Sequence, residues 1–577
     1  MKKKYILGIN DLADPSISIV RNGRVIFYCE EERLTRIKHS HNMFPILSIK
    51  QAFKTLKISL SDIECITYNW NLRKYENGMM KNFFKSLRTK YKIDKNTLLW
   101  QNNRLKNRNK INFVKKLNFN LKKHFTYKKL PKVKFFSHHY VHAFQSFKHS
   151  NFTKAICITI DGSGEENCTV IWKCNGNKII PIKTINMPNS LGWFYSAFTE
   201  FFGFKAYDGE YKLMGLAAYG KPNKKLREKV RKILNPNPKS GNYILDPSYI
   251  HYGKHSYSGR FTDKLVKIFE KKPPKKTNYY SQWYKDLAYE IQSSLEDSVI
   301  NLIKKININQ KVNNFCIGGG VGLNIKLNSK LFEQKFVKDY FANPLCPDSG
   351  ASVGSALLAD SQINSSKIKK LKNLSLGPKY TNRLILKEIK KSRLNYMFKK
   401  NIHTIVSAEL AKGNIIGWFQ GSMEAGPRAL GNRSIIADPR NKKVLNIINK
   451  KIKFREIWRP FCPSILKENV AEYFDSFTES KFMTISFKAN SKLKKIAPAI
   501  VHVDGTSRIQ SVDKSNNKKY YRLINEFYKK TKVPVILNTS FNIKGEPIVC
   551  SPSDAIKTFI NTDLDILVLE NYIIYKK

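Results

Sequence analysis

Short apolar runs separated by turn residues fill the first thirty positions of the chain. The runs at 5–9, 16–20 and 24–28 each have the length and the side-chain content of a β-strand. Asn22-Gly23 lies between the last two runs, and this dipeptide is the strongest short-range signal for a β-hairpin. The pattern therefore predicts three strands at the start of the chain, with the second and third joined in a hairpin.

A second unit of the same kind begins near residue 155. The apolar run 155–160 ends in Asp161-Gly-Ser-Gly164, and a further run follows at 168–173. Two strand-and-turn units of this kind predict duplicated halves, as in the actin and sugar-kinase fold, where ligands bind between two lobes. The fold class expected for this part of the chain is therefore α/β.

Helical spacing predominates between and after these units. Residues 75–130 are rich in Lys, Asn and aromatic residues at helical intervals, which predicts a helical insertion. Residues 279–305 also show a helical period, and 315–317 predict a strand that enters the turn Gly318-Gly-Gly320. A glycine-rich turn after a strand can bring backbone N–H groups within reach of a phosphate or an adenylate.

The sequence also predicts a boundary between two domains. Residues 361–380 are polar and end in the breaker Gly377-Pro378, so we interpret them as a linker. The linker separates a domain at 1–360 from a second domain at 381–577. The second domain, of about 190 residues, has a size typical of domains in general.

Composition supports a folded protein without a membrane span. Of the 577 residues, 42% are hydrophobic and 25% charged, which excludes general disorder. No apolar stretch approaches the length of a membrane-spanning helix, and the start of the chain lacks the pattern of a signal peptide. The nine cysteines include no C-x-x-C pair and several lie in apolar runs, so we expect reduced, buried thiols in a cytoplasmic protein.

The chain is strongly basic. Lys and Arg number 103 against 44 Asp and Glu, which gives a formal net charge of +59. The excess is spread along the chain together with frequent Asn and Ile, which favours solvated faces over a dedicated nucleic-acid groove. Anionic small substrates are compatible with this charge.

A first candidate site is a possible metal centre. His138 and His142 are four residues apart, so on a helix both imidazoles would lie on one face and could bind one metal ion. Asp161, at the end of a predicted strand, and Asp348 are carboxylates that could complete the ligand set. Nitrogen and oxygen ligands of this kind suit iron, manganese or zinc. The alternative, that two core or surface histidines have this spacing by chance, stays open.

A second candidate site lies beyond residue 420. The segment 420–434 contains Gly and Pro at turn positions and two arginines five residues apart, Arg428 and Arg433, which could clamp a phosphate. Further basic or amide-rich motifs follow, with Lys453, Arg455, Arg459, Asp504-Gly-Thr-Ser-Arg508 and Asn538-Thr-Ser540-Phe-Asn542. Each basic residue alone fits a solvated face, but these loop motifs, rich in Gly, Pro, Asn and Arg, together favour a ligand site.

The chain resembles, from end to end, the NodU/CmcH/TobZ-type O-carbamoyltransferases. Eight ordered blocks carry the resemblance. They are 30–39 (EEERLTRIKH), 138–142 (HHYVH), 208–216 (DGEYKLMGL), 318–324 (GGGVGLN), 423–434 (MEAGPRALGNRS), 458–461 (WRPF), 502–508 (HVDGTSR) and 537–542 (LNTSFN).

The resemblance implies an ATP-dependent enzyme of two α/β domains. The C-terminal domain would be YrdC-like and would activate carbamoyl phosphate with ATP to carbamoyl-adenylate, releasing pyrophosphate. The N-terminal domain would be actin-like, of the ASKHA and Kae type also found in tRNA threonylcarbamoyltransferases. It would pass the carbamoyl group to a hydroxyl of a small molecule or sugar.

The resemblance also assigns roles to residues, motif by motif. Phosphate and carbamoyl oxygens would be held during catalysis by Arg428, Lys453, Arg459 and Arg508. Substrate or nucleotide binding would involve Lys212, Gly318, Gly319, Gly320, Asn324, Asn538 and Ser540. A divalent metal, Fe(II) by this resemblance, would be bound by His138, His142, Asp161 and Asp348.

The chain departs from the family pattern at three positions. The family usually has a His-Asp pair ahead of its second strand, and the histidine is the natural general base for transfer, whereas this chain has Ala13 before Asp14. Asp14, another histidine such as His39, or the substrate could take over that task. Ser422, between Gly421 and Met423, replaces an arginine common in the family, and Ala425, after Glu424, replaces an aromatic residue.

Two other functions fit part of the same observations. A tRNA-modifying carbamoyl or threonylcarbamoyl transferase would use related domains, and the net charge would suit RNA. The order of the blocks and the turn at 423–434 favour the small-molecule enzyme, so nucleic acid is not the expected partner. A degenerate relative that binds ligands without transferring a carbamoyl group is the third possibility.

Overall fold

The computed structural model describes residues 4–251, 259–274, 277 and 279–576. It has the predicted α/β class throughout. Backbone contacts group the chain into two compact units. The first consists of Met1–Ile9, Val20–Arg24 and Leu60–Lys370, and the second of Asn10–Ile19, Val25–Ser59 and Leu371–Lys577.

Twelve described strands precede residue 350. They are β1 (Tyr5–Asn10), β2 (Ser16–Arg21), β3 (Arg24–Glu30), β4 (Ile63–Tyr68), β5 (Lys132–Phe135), β6 (Lys154–Ile160), β7 (Asn167–Asn175), β8 (Lys178–Asn186), β9 (Leu234–Pro236), β10 (Tyr243–Leu245), β11 (Asn314–Gly318) and β12 (Asp339–Ala342). The strands predicted from the apolar runs are all present, with ends shifted by no more than two residues.

The duplication predicted from the sequence is confirmed by the sheet topology. One sheet has the order β3-β2-β1-β4-β5 and another the order β8-β7-β6-β11-β12, so each places three consecutive strands beside two later ones. In both sheets the later strands pair in parallel, as β1 with β4 and β6 with β11. This repeated order is that of the actin-like fold.

The predicted hairpin between β2 and β3 forms for a steric reason. Asn22 and Gly23 have φ values of 51° and 71°, the left-handed conformation that a type I′ turn needs at both central positions. A Cβ atom on Gly23 would lie 2.1 Å from the carbonyl oxygen of Lys367. Only glycine therefore fits at this position.

The helices of the same part of the chain include the predicted insertion. They are α1 (Glu32–Thr35), α2 (Ile46–Leu56), α3 (Arg73–Glu76), α4 (Met79–Lys90), α5 (Lys95–Asn107), α6 (Lys110–Lys122), α7 (His138–Ser150), α8 (Leu191–Phe201), α9 (Glu210–Ala217), α10 (Lys224–Arg231), α11 (Asp263–Phe269), α12 (Gln282–Gln310), α13 (Ile325–Phe332) and α14 (Asp348–Ile363). Helices α4 to α6 form the insertion. The side chains of Asp94 and Asn109 cap α5 and α6 by accepting backbone N–H groups.

The rest of the chain builds on one mixed sheet of eight strands. Its strands and a small two-stranded sheet are β13 (Met397–Phe398), β14 (Ile416–Phe419), β15 (Arg433–Ala437), β16 (Cys462–Leu466), β17 (Phe487–Lys488), β18 (Thr506–Ser507), β19 (Gln510–Val512), β20 (Val535–Ser540), β21 (Ile566–Leu569) and β22 (Tyr572–Tyr575). The large sheet has the order β13-β22-β21-β14-β15-β20-β16-β19.

Helices cover this sheet and complete the second unit. They are α15 (Asn382–Ser392), α16 (Ile402–Ala411), α17 (Lys443–Ile447), α18 (Val470–Tyr473), α19 (Ser491–Ile496), α20 (Lys518–Thr531) and α21 (Pro552–Ile560), with a π-helix at Ile448–Ile452. All nine cysteines are buried and free, as expected. Among the described helices, none is both long enough and apolar enough to cross a membrane.

Candidate functional site

Four side chains from three elements meet in the first unit. Helix α7 begins at His138 and carries His142 one turn later. Asp161 follows the last residue of β6, and Asp348 is the first residue of α14. One ligand atom of each lies within 4.8 Å of the others. We call these four residues the His/Asp cluster, and they are the four that the sequence suggested as metal ligands.

The geometry of the His/Asp cluster fits a bound cation. His138 Nε2 lies 3.6 Å from Asp161 Oδ2 and 3.5 Å from Asp348 Oδ1, and His142 Nε2 lies 3.7 Å from Asp161 Oδ2. Ligand atoms bound at about 2.1 Å to one metal ion are themselves about 3 to 3.5 Å apart. All four imidazole nitrogens are buried without a hydrogen-bond partner in the described structure. Because unpartnered buried polar atoms are costly, the residues fit a metal ion.

The side chains of the His/Asp cluster shift one another's pKa values. Burial lowers the pKa of His138, but the carboxylates of Asp348 and Asp161 outweigh this effect and raise it to about 9. Burial and the charge of His138 hold the pKa of His142 well below its usual value. Burial raises the pKa of Asp161, but the two imidazoles and the backbone N–H of Gly320 lower it overall. An ionised Asp161 is what a metal ligand requires.

The glycine-rich turn at 318–320 has a packing role beside the cluster. The N–H of Gly320 donates to Asp161 Oδ2 at 3.0 Å. A Cβ on Gly319, whose φ is 81°, would lie 2.3 Å from the carbonyl oxygen of Ile160, and one on Gly318 would lie 2.5 Å from Ser146 Oγ. The glycines thus let the end of β11 approach β6 and α7 closely. Nucleotide binding by these glycines stays a prediction.

Two further residues expected to bind substrate or nucleotide have identifiable contacts in this unit. Asn324 caps α13 by accepting the N–H of Leu327 and exchanges two hydrogen bonds with the side chain of Gln292. Lys212 lies half-buried on α9, with its ammonium 5.2 Å from the centre of the Phe204 ring. These contacts give Asn324 a structural role in the first unit. Ligand binding by Asn324 or Lys212 stays a prediction.

In the second unit, one carboxylate organises the turn at 423–434. Glu424 is almost completely buried, and its Oε1 accepts the N–H groups of Leu430, Asn432 and Arg433 at 2.6 to 3.1 Å. Three N–H groups on one carboxylate oxygen fix the path of the loop. The position of Arg428 within the loop is therefore set by Glu424.

The two arginines of this turn differ in their surroundings. Arg433 is fully buried, its guanidinium carbon lies 3.5 Å from the centre of the Phe419 ring, and it donates to the carbonyl oxygens of Gln420 and Asn432. Arg428 is half-buried. Arg433 therefore holds the loop in place, and phosphate binding by Arg428 stays a prediction.

Lys453 is the most unusual cation of the second unit. It is 3% exposed, and its ammonium donates to the carbonyl oxygen of Ser540 at 2.6 Å, to Ser540 Oγ at 3.1 Å and to Asn542 Oδ1 at 2.6 Å. Burial holds its pKa well below the usual range, and the positive charges of Arg455, Arg459 and Lys38 act in the same direction. Lys453 has no ion pair within the described residues. We call Lys38, Lys453, Arg455 and Arg459 the cation cluster.

The other predicted residues of this unit lie on the same sheet and its loops. Arg508 donates from Nε and Nη2 to the buried sulfur of Cys462, at 3.0 and 2.7 Å. Arg459 Nη1 lies 3.6 Å from Glu456 Oε2. Asn538 is buried and donates to Ala429, Ser464 and Gln510, which ties β20 to the residue after Arg428.

Residues 30–39 pack within this second unit, although they are distant in sequence. Arg33 donates to the carbonyl oxygen of Gly426, whose N–H donates back to Glu30. Arg36 donates to the carbonyl oxygens of Pro547 and Ile548. The sequence analysis named His39 of this segment as a possible general base and did not anticipate that the charge of Lys38 lowers the pKa of Lys453. The signals in the sequence were the family resemblance of block 30–39 and its dense charge.

Asp14 and His39 also meet in this unit. Asp14 Oδ1 lies 2.5 Å from His39 Nδ1. Both residues have left-handed backbone conformations, with φ of 55° and 65°, which are uncommon away from glycine. A carboxylate on Nδ1 orients an imidazole for proton transfer at Nε2, as in other general-base pairs.

Two family profiles match consecutive parts of the chain. The family profile described as "Carbamoyltransferase N-terminus" matches residues 5–357, and that described as "Carbamoyltransferase C-terminus" matches residues 407–576. The uncharacterized protein sll1178 of Synechocystis is 34% identical, with 99% of this chain and 97% of that protein covered. The nodulation protein NolNO of Sinorhizobium fredii is 33% identical, with 98% and 79% covered.

Among solved structures, full-length HypF in its phosphate- and nucleotide-bound form is similar with a TM-score of 0.38 and 14% identity, covering 64% of this chain and 57% of that chain. Component A of the (R)-2-hydroxyglutaryl-CoA dehydratase of Acidaminococcus fermentans has a TM-score of 0.34 and 14% identity, with 61% and 96% covered. At these scores the likeness carries no functional argument. The two family profiles and the relatives together show that the chain is an enzyme of the carbamoyltransferase family.

Proposed function

We propose that the protein is an ATP-dependent O-carbamoyltransferase, in which the second unit forms carbamoyl-adenylate and the His/Asp cluster serves the transfer of the carbamoyl group to a hydroxyl. The cation cluster carries the proposal. Lys453 is a buried ammonium with cationic neighbours and only neutral hydrogen-bond acceptors. Such an arrangement is costly without an anion, and ATP and carbamoyl phosphate supply several negative charges.

The activation step needs charge neutralisation more than it needs an acid or a base. Carbamoyl phosphate and ATP give carbamoyl-adenylate, phosphate and pyrophosphate, with one water consumed. Fixed Lys and Arg donors lower the repulsion between the reacting anions and stabilise the charge that develops on the departing phosphates. In this proposal Arg428, Lys453, Arg459 and Arg508 supply those donors, and Asn538 and Ser540 support them.

The transfer step is proposed for the His/Asp cluster. A divalent metal held by His138, His142, Asp161 and Asp348 would polarise the carbamoyl carbonyl as charge develops on its oxygen. Iron is the metal that the family resemblance implies, and the nitrogen and oxygen ligands are compatible with it. The backbone N–H of Gly320, which donates to Asp161, keeps that carboxylate in position.

Ala13 cannot accept the proton of the acceptor hydroxyl. The sequence leaves Asp14, another histidine such as His39, or the substrate itself for that task, and the assignment stays a prediction. The contact of Asp14 with His39 Nδ1 would keep a proton on that atom and leave Nε2 as the basic nitrogen.

The acceptor is proposed to be a small molecule or a sugar, and nodulation proteins among the relatives support that class. Products distinguish this function from its alternatives. With ATP and carbamoyl phosphate, ³¹P NMR should show AMP and pyrophosphate, and omission of carbamoyl phosphate should abolish both. ADP and phosphate as the products, or no turnover, would contradict the proposal. Label from [¹⁴C]carbamoyl phosphate in tRNA would favour the RNA-modifying alternative.

A further inference from the structure

Two arginines of the helical insertion share one indole ring. Arg104 lies in the last turn of α5, and Arg108 is the residue after the helix. Their guanidinium carbons lie 4.8 and 4.2 Å from the centre of the Trp70 ring, and Arg104 also lies 4.5 Å from the Trp100 ring. Both positive charges thus lie against aromatic rings.

Three buried donor atoms of this arginine pair have no hydrogen-bond partner in the described structure. Arg104 is 5% exposed, yet its Nε and Nη1 have no hydrogen-bond partner, and neither does the buried Nη1 of Arg108. The remaining contact of Arg104 is from Nη2 to the carbonyl oxygen of Gly164, at 3.4 Å. Within the described residues, neither guanidinium has a carboxylate within 4 Å.

This arrangement costs folding free energy. Burial lowers the pKa of Arg104 to about 10; the charge of Arg108 acts in the same direction, and Tyr75 and the Glu165 carboxylate oppose it only in part. Stacking of the guanidiniums on indole offsets only part of the cost of burying the charge. An oxyanion between the two guanidiniums would satisfy the unused donors, because each presents a planar fork that matches phosphate or carboxylate oxygens.

The arginine pair also adjoins the His/Asp cluster. The Trp70 ring that carries both guanidiniums lies 5.1 Å from the ring of His138. The residue after Gly164, Glu165, accepts the N–H of His138. A molecule with its oxyanion at the arginine pair would therefore extend along Trp70 toward His138.

We propose that Arg104 and Arg108 bind a phosphate or carboxylate group of the hydroxyl acceptor, so that the acceptor is an anionic molecule. This inference rests on the proposed function, because it takes the His/Asp cluster as the transfer site. The phosphate of the adenylate is the other source of an oxyanion. The acceptor is the better assignment because residues 75–130 contain none of the eight blocks that carry the family resemblance, whereas every family member would bind the adenylate.

Equilibrium dialysis with [³²P]phosphate tests the site. Wild type is compared with the double variant Arg104→Gln/Arg108→Gln and with Arg88→Gln, a matched control whose exposed guanidinium bonds only to neighbouring insertion side chains. The double variant should bind one phosphate fewer per chain, and Arg88→Gln should bind as many as wild type. Equal binding by wild type and the double variant would overturn the inference.

The single variant Arg108→Lys covers the case in which the double variant fails to fold. It keeps the charge and loses the planar fork, so phosphate at this site should bind at least about tenfold more weakly, as expected for the loss of a charge-assisted hydrogen bond. Unchanged affinity in this variant would also overturn the inference. Without phosphate, the double variant should melt no lower than wild type, because the arginines cost stability when the site is empty. A purely structural role would lower its melting temperature.

Competition with AMP separates the two sources of an oxyanion. AMP should leave the phosphate at the arginine pair in place, whereas displacement by AMP would assign the site to the adenylate and overturn the acceptor assignment. Formation of AMP and pyrophosphate by wild type and Arg88→Gln is measured in parallel. Its absence would refute the proposed function, whereas its presence with no arginine-dependent phosphate binding would refute only this inference.

Discussion

Replacing Lys453 with Met removes a charge and keeps most of the length of the side chain. The Lys453 ammonium donates three hydrogen bonds to Ser540 and Asn542. The positive charges of Arg455, Arg459 and Lys38 lower its pKa in addition to the effect of burial. The variant Lys453→Met should fold, because the loss of these hydrogen bonds is offset by relief from burying a charge. Its matched control is Lys450→Met, a change at an exposed lysine of the π-helix that ends just before Lys453.

The expected effect on adenylation follows from the role of a fixed donor. Removing one preorganised donor from a site of developing negative charge typically costs about 3 to 4 kcal/mol, or about 10² to 10³ in rate. The Lys453→Met variant should therefore form AMP and pyrophosphate at least about 10²-fold more slowly. The Lys450→Met variant should match wild type.

The folding stability of Lys453→Met offers an independent check. Because the pKa of Lys453 is lower in the folded state than in the unfolded chain, the unfolded state binds more protons between these two pKa values. Stability contributed by this residue should thus rise with pH, from its lowered pKa up to the ordinary lysine value of about 10.4.

Chemical denaturation across that range should show a rise with pH in wild type that is smaller in Lys453→Met. A normal adenylation rate in Lys453→Met, or the same pH dependence of stability in both proteins, would refute the reasoning about the cation cluster.

Three further predictions concern other residues of the two sites. Arg428→Ala should abolish adenylation while far-UV circular dichroism stays unchanged, because Glu424 and not Arg428 fixes the loop; normal adenylation would remove Arg428 from the activation site. His138→Ala should spare adenylation but reduce bound metal, measured by elemental analysis, together with transfer; loss of adenylation with metal retained would reverse the roles of the two units. His39→Gln should lower the product formed per ATP consumed by about 10² or more, the usual contribution of a general base, and Ala13→His should restore part of the loss. Coupling that is unaffected by His39→Gln would place the base elsewhere.

The sequence predicted the histidine pair of the His/Asp cluster because its geometry is local. Two histidines one helical turn apart must share a face, and Asp161 follows directly from the end of a strand. The strands and the hairpin were predictable for the same reason, since alternation and the Asn22-Gly23 turn act over a few residues. The duplication needed only the recurrence of that pattern.

Features that depend on long-range packing could not be predicted in this way. Arg428 and Arg433 are five residues apart in one turn segment, which suggested a phosphate clamp. In the structure Arg433 is buried against Phe419 and donates to backbone carbonyl oxygens. The positive charge of Lys38 lowers the pKa of Lys453, although the two residues are more than four hundred positions apart in the sequence. Arg104 lies in a helix without any motif, and only burial and unused donors reveal it.

Exchange of [³²P]pyrophosphate into ATP tests the central claim most directly, because it reports reversible adenylation without an acceptor. The account predicts exchange that requires carbamoyl phosphate, persists in His138→Ala and is lost in Lys453→Met. Exchange without carbamoyl phosphate, no exchange in wild type, or full exchange in Lys453→Met would contradict it.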